Sequence, residues 1–543
     1  MTVAIVPGRG AEGWTMPLPG GTATRHDDLA AAVARIEAEA APRWVLSDTA
    51  AEYPPLLQAG TRLDRCRDLW LSERIISRAE GREAPAPVVR SDPDAGTLFE
   101  RAPEPVDGPA ALTRLQASWL DQRRRLRALG IEGLGTLLAA ESAGGLAAAE
   151  MSRTGVPFDV AAHDRLLREL LGPRPTKGMR PRKLQALADR VTDAFGHRLN
   201  PDSTKQVLAA FHAAGVDVRT THHWELSSVD HPAVEALRVY REHARVWTAF
   251  GWNWADTWVG AHSGPGDAGP DRVGQWPGDG PAGTRFRPVY TVGGADTGRW
   301  ATDGGGALQL PHAVREAIRA EPGWKLVAAD AAQLEPRLLA AISGDEAMIA
   351  ATAADDLYTE LAPDLGGERA KAKIALISAM YGGTSGDAAA LVALMRERFP
   401  AATGCVERAA RVGEQGGTVR TRLGRTAPAP SAKWWSELNS DRGTRAATRR
   451  GRFTRNFIVQ GTAAEWALVL LALLRRRLHE EGLGELVFYL HDEVMVHCPA
   501  ERAPAVCAAI EAAAAGATRT LFGDMPVRIP LRPKVVDSYA EAR

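Results

Sequence analysis

The sequence Leu326-Val327-Ala328-Ala329-Asp330 predicts a buried strand that ends in a carboxylate. A second such end follows further along the chain, where Asp492 lies inside Leu490-His491-Asp492-Glu493-Val494. An aspartate at the end of a strand is common in turns, so either residue alone would say little. Two aspartates held side by side, however, can bind a pair of Mg²⁺ ions ~3.5–4 Å apart, with water and substrate phosphates completing each metal's shell. The pair therefore predicts a two-metal site for phosphoryl chemistry.

A helix is predicted to begin soon after the first aspartate. The chain reads Asp330-Ala331-Ala332-Gln333-Leu334-Glu335-Pro336-Arg337, and an apolar helical segment follows from Leu338 to Ile342. Pro336 is compatible with this helix because the N–H groups of a first turn have no acceptor inside the helix. The junction between strand and helix thus carries polar side chains close to Asp330.

Two further segments repeat polar side chains at intervals of four residues, which places them on one face of a helix. They contain Arg369, Lys373, Ile377 and Tyr381 before Gly382-Gly383, and Arg452, Asn456 and Gln460 before Gly461-Thr462-Ala463-Ala464. A guanidinium and an ammonium can bind phosphate oxygens, and amide side chains can reach base edges or sugars. The alternative is an ordinary solvated helix face, which the same spacing also produces.

Together these segments resemble the motifs of the DNA polymerase I family (family A), in the same order. The three polymerase motifs correspond to residues 330–337, 369–382 and 491–493, with accessory matches at 297–299 and 452–464. Weaker similarity extends to residues 151–159 and 199–206, so the resemblance covers about residues 140–543. Five matches in the same order are a specific signal, although each alone would be a modest one.

The resemblance implies an α+β, multi-domain fold: a right-hand polymerase with palm, fingers and thumb, preceded by an α/β exonuclease-like (ribonuclease H-like) domain. The expected boundaries are 1–105 for a degenerate 3′-5′ exonuclease-like domain, 106–140 for a connecting helical segment and 141–543 for the polymerase domain. Within the polymerase domain, the thumb is expected at about 160–260, the palm at about 285–345 and 461–543, and the fingers at about 346–460.

The resemblance also implies roles for individual residues. Asp330 and Asp492 would bind two Mg²⁺ ions, for which Mn²⁺ could substitute, and Glu493 and Lys373 would complete the catalytic set. Glu335 would crowd the 2′ position of the sugar and exclude ribonucleotides. The residues expected to bind the incoming dNTP are Arg369, Lys373, Ile377, Tyr381, Glu335, Gln333 and Tyr358. Those expected to bind primer-template DNA are Arg299, Arg452, Asn456, Gln460, His491, Lys205 and Arg241.

Two positions depart from the family pattern. Ile377 stands where the nucleotide-binding helix of the family has an aromatic residue, and Tyr358 stands where the family has a histidine upstream of that helix. Both changes concern the handling of the nucleotide. Neither removes an expected metal ligand.

The N-terminal region lies where the family carries a proofreading 3′-5′ exonuclease. That activity needs a cluster of carboxylates that binds two metals, beginning with an Asp-x-Glu pair on the first strand. No Asp precedes Asp27, Glu12 stands alone, and Glu52 aligns only loosely with the second position. We therefore expect a degenerate exonuclease fold without proofreading. We also expect no separate 5′-nuclease domain, as found in longer relatives, within residues 1–543.

Charge distribution favours a nucleic-acid partner although the net charge does not. Lys and Arg total 66 and so do Asp and Glu, which gives a formal net charge of zero. Basic residues nevertheless cluster at 176–183 and, just before Gln460, at 442–455. Such clusters can neutralise phosphates on one face while acidic residues lie elsewhere, although each could also be a solvated surface.

The remaining sequence features indicate an enzyme of a reducing compartment. The four cysteines lack the spacing of a metal site or disulfide framework, and the N-terminus lacks a signal-peptide pattern. No run of 18 apolar residues predicts a membrane span. We expect a cytoplasmic, nucleoid-associated monomer without membrane contact.

These observations predict a template-directed DNA polymerase that extends a primer 3′-hydroxyl with dNTPs in replication or repair. A second enzyme hypothesis is a single-subunit RNA polymerase, which has a similar scaffold but is disfavoured by Glu335 and the His491-Asp492-Glu493 motif. A non-enzyme hypothesis is a catalytically inactive DNA-binding protein. The retention of each expected catalytic carboxylate and cation argues against it.

Overall fold

The computed structural model of the chain describes residues 1–8, 10–83, 108–176, 178–226, 229–260, 284–365, 367–382 and 387–542. It combines helices and sheets in several domains. From composition, the Pro-rich stretch at 83–109 is predicted to be a loop or boundary, and residues 261–284, rich in Gly, Pro and Asp, are predicted to be a flexible insertion. Most of the first stretch and nearly all of the second lie outside the described residues, as do Gly383 and Lys177 of the first basic cluster.

The N-terminal domain is an α/β sandwich around a five-stranded sheet with strand order β3-β2-β1-β4-β5. Its elements are β1 (Thr2–Pro7), β2 (Gly13–Leu18), β3 (Thr24–His26), α1 (Leu29–Ala40), β4 (Arg43–Leu46), α2 (Thr49–Gln58), β5 (Arg65–Asp68) and α3 (Leu69–Ala79). Strands β1, β4 and β5 run parallel, while β2 and β3 are antiparallel additions. Aspartates cap the helices: Asp28, Asp48 and Asp68 each accept a backbone N–H in a first turn. This architecture is compatible with the expected exonuclease-like fold.

Helices dominate the following part of the chain. They are α4 (Gly108–Leu129), α5 (Leu134–Thr154), α6 (Val160–Leu171), α7 (Arg182–Phe195), α8 (Thr204–Ala213), α9 (His223–Leu226), α10 (Pro232–Phe250) and α11 (Trp252–Ala255), with the short strand β6 (Val156–Pro157) after α5. Trp254 is buried against Phe158 and Phe286, with ring centroids 5.6 and 5.0 Å away. The tryptophans at 252 and 254 are therefore core residues rather than an exposed stacking platform.

A four-stranded antiparallel sheet with strand order β11-β12-β10-β13 carries the predicted site. Its strands are β10 (Trp324–Asp330), β11 (Glu485–Leu490), β12 (Glu493–Pro499) and β13 (Lys534–Val536), and the small strands β7 (Arg285–Phe286), β8 (Val289–Thr291) and β9 (Ala301–Gly304) precede them. The run from Leu326 to Ala329 is buried on both faces of this sheet, which explains why it is uninterrupted by polar residues.

The remaining helices are inserted in the chain between the strands of this sheet. They are α12 (Leu334–Ser343), α13 (Glu346–Ala351), α14 (Leu357–Glu360), α15 (Arg369–Tyr381), α16 (Asp387–Arg398), α17 (Pro400–Glu414), α18 (Ala432–Leu438), α19 (Gly443–Glu480) and α20 (Ala503–Phe522). Helix α19 is 38 residues long and runs through the predicted fingers–palm boundary at residue 460, so both regions share it. Its cationic first half precedes an apolar second half that is packed into the core beneath the sheet.

Among the described residues, two helices are long and apolar enough to cross a membrane by length and composition alone. They lie at Gly443–Glu480 and Ala500–Phe522, and 83% of the most apolar window of the first is buried inside the protein. The apolar part of α19 packs against the sheet and α20. Its hydrophobic composition is therefore that of a helix buried in a protein core.

A buried ionic network joins the N-terminal domain to α19. Arg475 donates to Glu150 Oε1 at 2.6 Å and to the carbonyl oxygen of Asp64 at 2.8 Å. Arg62 and the hydroxyl of Tyr53 contact the same glutamate. Burial would raise the pKa of Glu150, but the charges of Arg475 and Arg62 lower it to about 2. The network fixes the N-terminal domain on the helix that carries the predicted DNA-binding residues.

Candidate active site

The two predicted metal-binding aspartates come together at one end of the four-stranded sheet. Asp330 ends β10 and pairs in register with Glu493, the first residue of β12, while Asp492 lies in the two-residue turn between β11 and β12. The N–H of Ala331 donates to the carbonyl oxygen of Asp492 at 3.1 Å, which holds the two segments edge to edge. The residues are distant in sequence but adjacent in the fold.

Strained backbone lies next to each aspartate. His491 has φ 57°, and the N–H of Asp492 donates back to the carbonyl oxygen of Leu490 at 2.7 Å, which makes a three-residue γ-turn. This turn type is rare and strained for an L-residue. Gln333, three residues after Asp330, also has φ 57°. Such outliers concentrate at active sites, where the surrounding structure maintains them, and so they point to a functional role for this end of the sheet.

The charges at this point of the fold suit a divalent cation. Burial and the neighbouring charge of Asp330 raise the pKa of Asp492 to about 7, while Arg299 acts in the opposite direction. Carboxylate oxygens are the ligands that Mg²⁺ prefers, and a bound cation would relieve the repulsion between the aspartates. Within the described residues no group of three or more His, Cys, Asp or Glu side chains is arranged to hold a metal. Asp330 and Asp492 stay a predicted pair of metal ligands.

Glu335 is the centre of a polar network that joins four of the matched segments. It lies in the first turn of α12, accepts a hydrogen bond from the Arg299 guanidinium, and accepts another from the Tyr381 hydroxyl at 2.6 Å. Gln460 in turn donates from Nε2 to the Tyr381 oxygen at 2.9 Å. The Glu335 side chain is only 16% exposed. The carboxylate, which α12 carries, is therefore held in one position by Arg299 from the loop before β9 and by Tyr381 from α15.

Arg369 and Gln333 meet at a carboxylate that sequence reasoning missed. Asp356 caps α14 and accepts from Arg369 Nε at 2.7 Å and from Gln333 Nε2 at 2.9 Å. Burial would raise the pKa of Asp356, but the hydrogen bond from Arg369 and its other donors lower it to about 2. The Arg369 guanidinium also lies 5.5 Å from the centre of the Tyr358 ring, within cation–π range. Tyr358 therefore contributes to holding Arg369 in place.

The predicted nucleotide-binding face of α15 is open to solvent. Ile377 is 37% exposed and Tyr381 is 36% exposed, although both are large side chains. Lys373 is also exposed and forms no hydrogen bond or ion pair with any part of the chain that the structure describes. This face is available to a ligand, unlike the opposite face, where Ala372, Leu376 and Ala379 are buried.

Helix α19 presents the second predicted face beside α15. Arg452 Cγ lies 3.3 Å from the position that a Cβ would take at Gly382, the cap that ends α15. Asn456 Oδ1 is buried and has no hydrogen-bond partner within the described residues. Together with Gln460, these side chains line the region between the two helices. His491 has a solvent-exposed surface, but the protein around its ring removes part of the ring's hydration, and this desolvation together with the charge of Arg299 lowers its pKa.

Two predicted DNA-binding residues lie in the helical region before the palm, apart from this cluster. Lys205 is exposed at the start of α8. Arg241 on α10 donates to the carbonyl oxygen and the hydroxyl of Thr221, at 2.5 and 2.8 Å. These hydrogen bonds give Arg241 a structural role, so its predicted contact with DNA would require the guanidinium to use its remaining donors.

A second buried cluster explains the matched segment at 297–299. A Cβ at Gly298, which has φ 88°, would lie 2.5 Å from Arg425 Cζ, so no larger residue fits. Arg425 donates to the buried Glu141 at 2.7 Å. Its backbone loop is held by Glu465, which accepts from Leu423 N at 2.8 Å and from the Thr421 hydroxyl. This cluster sets the position of Arg299, and no local sequence pattern indicated it.

Arg337 holds the first turn of α12 against the backbone at residues 352–355 and at Arg528. It is fully buried and donates to five carbonyl oxygens, those of Ala332, Thr352, Ala354, Asp355 and Arg528, at 2.6–3.0 Å. The five acceptors use the whole guanidinium. The last residue of the first matched motif is therefore a structural residue that fixes Glu335 and Gln333 relative to α14.

Within the described residues, the N-terminal domain has no Asp-x-Glu pair on its first strand. Strand β1 carries no acidic residue, and Glu12 pairs with Arg25 at the surface. Glu52 lies on α2, where it accepts from Ser47 N at 3.0 Å, and burial raises its pKa to about 7. A carboxyl group engaged as a local cap does not form part of a metal cluster.

Comparisons with known proteins identify relatives of this chain. A family model described as DNA polymerase family A matches residues 306–539. The thermostable DNA polymerase I of Thermus aquaticus is 27% identical over 492 residues, covering 86% of this chain and 50% of that protein. DNA polymerase I of Chloroflexus aurantiacus is 26% identical over 372 residues, covering 63% of this chain and 36% of that protein. The chain thus spans half or less of the length of these two relatives.

A solved structure has the same fold over nearly the whole chain. It is the POL domain of Pol1 from M. smegmatis in complex with DNA primer-template and dNTP, with a TM-score of 0.71 at 18% sequence identity. The alignment covers 99% of this chain and 95% of that one. The N-terminal α/β domain, the helical region and the four-stranded sheet therefore form the arrangement found in that domain.

Proposed function

We propose that this chain, a member of DNA polymerase family A, is a template-directed DNA polymerase that extends a primer with dNTPs. The observation that carries the proposal is the network around Glu335. It joins Arg299, Tyr381 and Gln460, residues from segments far apart in sequence, directly beside the Asp330–Asp492 pair. Polar surface residues without a shared role would not be expected to converge on one carboxylate from segments so far apart in the sequence.

In the proposed reaction, the primer 3′-hydroxyl oxygen forms a bond to the α-phosphorus of the dNTP and pyrophosphate leaves. Two Mg²⁺ ions held by Asp330 and Asp492, or Mn²⁺ in their place, would supply charge stabilisation for the attacking and leaving oxygens. Lys373 and Arg369 bind the triphosphate oxygens with an ammonium and a guanidinium fork. Glu493, buried at the start of β12, supports the position of Asp330 through their paired backbones.

Arg369 can bind the nucleotide in this proposal while it keeps its contact with Asp356. In the protein alone its guanidinium pairs with Asp356 and lies over Tyr358. Its side chain is 54% exposed, so a triphosphate can approach its remaining N–H groups without displacing Asp356. Gln333 then orients Asp356, and through it Arg369, without touching the nucleotide.

Template and primer would bind along α19 and at the turn that carries His491. Arg452, Asn456, Gln460 and Arg299 offer donors toward this side, and the exposed Lys205 adds a charge that can bind a backbone phosphate.

We also propose that the protein works as a cytoplasmic, nucleoid-associated monomer in replication or repair. Primer extension on a defined template with each dNTP, and with rNTPs in parallel, tests the assignment. Preferential use of rNTPs would favour the RNA polymerase hypothesis, and no extension with either would favour the inactive DNA-binding protein.

Dideoxynucleotide selection should depend on Ile377. This side chain lies one turn after Lys373 on the open face of α15, and it has neither the ring nor the hydroxyl of the family's aromatic residues. We expect the wild-type enzyme to discriminate strongly against ddNTPs and Ile377→Tyr to weaken that discrimination. Competition between ddNTP and dNTP in single-turnover extension measures the ratio.

A matched control for this prediction is Lys371→Tyr, which places the same side chain at an exposed position on the same helix. This control should keep the wild-type ratio because residue 371, six positions before residue 377, lies on a different side of α15. Equal selectivity in wild type and Ile377→Tyr would mean that residue 377 does not face the nucleotide sugar.

Proofreading should be absent from the wild-type protein. Because β1 carries no acidic pair and Glu52 is used as a cap for Ser47, we expect no shortening of a 3′-labelled single strand in Mg²⁺ or Mn²⁺. The assay is run with the protein at concentrations that support primer extension. Stepwise shortening that is lost in Glu52→Gln but retained in Asp492→Asn would show instead that the N-terminal domain is an active nuclease.

A further inference from the structure

A pocket in the N-terminal domain lies on the face of the sheet that packs against α4. Its volume is about 270 Å³, and it opens beside the amino-terminal ends of β1 and β4. Thr2 and Arg43 are register partners on these adjacent strands, and Arg67 follows on β5 opposite Val45. Because side chains alternate along a strand, these three residues point to the same face as the pocket. Glu52, the carboxylate that aligns loosely with the exonuclease pattern, does not line this pocket.

Three arginines line this pocket and no carboxylate of the described residues does. Arg43 and Arg67 come from the sheet, and Arg123 comes from α4, where its guanidinium stacks 4.5 Å from the centre of the Trp119 ring. The nearest acidic residue on β5, Asp68, is directed away from the pocket, since it accepts from Thr49 N and Leu71 N at 2.8 Å each. The three arginines therefore line the pocket together, while the nearest acidic groups, Asp64 and Asp68, act on Arg43 and Arg67 from outside the lining.

Arg67 is the residue most in need of a partner. Its Nη1 is buried and has no hydrogen-bond acceptor in the described residues. Burial, reinforced by the charge of Arg43, lowers the pKa of Arg67 to about 10. A buried guanidinium without a compensating anion is costly, so proteins retain one mainly where a ligand or ion pairs with it.

The opposite wall of the pocket is apolar. Ile76, Trp119, Leu126 and Leu138 line it from α3, α4 and α5. The volume falls just below the ~300 Å³ at which pockets for drug-sized ligands begin, so the ligand must be small. A cationic wall facing an apolar wall selects a molecule with an anionic group at one end and an organic body at the other.

We propose that this pocket binds a small phosphate monoester, with the phosphate held by Arg43, Arg67 and Arg123 and the organic part against the apolar wall. The planar guanidinium matches phosphate oxygens in geometry and forms charge-assisted hydrogen bonds with them. Such a ligand neutralises the buried cation and satisfies its free N–H. Binding would stabilise the N-terminal domain, which the Arg475 network connects to α19.

The test is thermal unfolding and titration calorimetry of the full chain with inorganic phosphate, with deoxyadenosine monophosphate and with deoxyadenosine, at constant ionic strength and without divalent metal. We expect inorganic phosphate and deoxyadenosine monophosphate to raise the melting temperature of the protein. Deoxyadenosine, which has no phosphate, should leave the melting temperature unchanged. Tighter binding of the monophosphate identifies an organic phosphate as the ligand, and equal binding identifies inorganic phosphate. Arg67→Met should weaken binding about tenfold or more, since it removes charge-assisted hydrogen bonds.

Two controls separate this pocket from other phosphate sites. Arg124→Met removes the same charge from the next residue of α4, where the side chain is 79% exposed and outside the pocket, and it should bind like wild type. Lys373→Ala removes a cation of the nucleotide site and should also leave this binding intact. If Arg67→Met does not fold cooperatively, the exposed Arg123→Gln serves in its place. No stabilisation of the wild type at millimolar phosphate, or equal stabilisation of the pocket variants and the wild type, would overturn the proposal.

Discussion

Asp330→Asn and Asp492→Asn should each abolish primer extension while leaving primer-template binding nearly unchanged. The side chains meet at one end of the sheet, and the raised pKa of Asp492 reflects burial and the charge of Asp330. Asparagine keeps the shape but removes the anionic oxygens that a divalent cation needs. We expect a loss of ~10³-fold or more in the rate of nucleotide addition, which corresponds to about 4 kcal/mol of transition-state stabilisation.

Asp537→Asn is the matched control for this pair. Asp537 follows β13 of the same sheet, but its side chain is 62% exposed and pairs with Lys325 at the surface. Loss of an exposed pair costs little, so extension should stay close to wild type. Rates come from single-turnover extension and DNA affinity from fluorescence anisotropy of a labelled primer-template. If either active-site variant extends at a near-wild-type rate, the aspartate pair is not the metal site.

Local sequence patterns predicted the elements around the site because their signals are local. The apolar run before Asp330 is a strand buried on both faces, and the helix from Arg369 ends at Gly382 with φ 77°, where a glycine cap was expected. Helix α19 was harder to predict as a single element. Its cationic and apolar halves differ in composition, and only the packing of the second half into the core makes one 38-residue helix of both.

The matched motifs predicted the residues of the site but not the contacts that position them. Asp356 carries a helix-cap signal, since Asp-Leu-Tyr begins a short helix, yet nothing in the sequence indicated that it binds Arg369 and Gln333. Arg425, Glu141 and Glu465 come from three distant segments and form a buried cluster that holds the loop of Arg299. Such contacts form only in the tertiary fold, and they leave no periodic pattern in the sequence from which they could be predicted.

Glu335→Ala should allow ribonucleotides to be incorporated. The Glu335 carboxylate is held by Arg299 and by the Tyr381 hydroxyl at 2.6 Å, so it cannot swing away from the sugar that we place beside it. Removing the side chain opens the space that a 2′-hydroxyl requires. We expect the ratio of kcat/KM for dNTP over rNTP to fall by about two orders of magnitude, the range that a steric and desolvation difference of this size can supply.

Two further variants distinguish bulk from charge at this position. Glu335→Gln keeps the length of the side chain, so it should retain most of the discrimination if exclusion is steric. Tyr381→Phe removes the hydroxyl that holds the carboxylate and breaks its contact with Gln460, so it should give an intermediate ratio. Burial and Glu335 raise the pKa of Tyr381 to about 12, so the hydroxyl remains a donor across the pH range of the assay and the ratio should not change with pH. An unchanged ratio in Glu335→Ala would contradict the assignment, because it would mean that another residue excludes the 2′-hydroxyl. If Glu335→Gln loses as much discrimination as Glu335→Ala, the charge of the side chain rather than its bulk performs the selection.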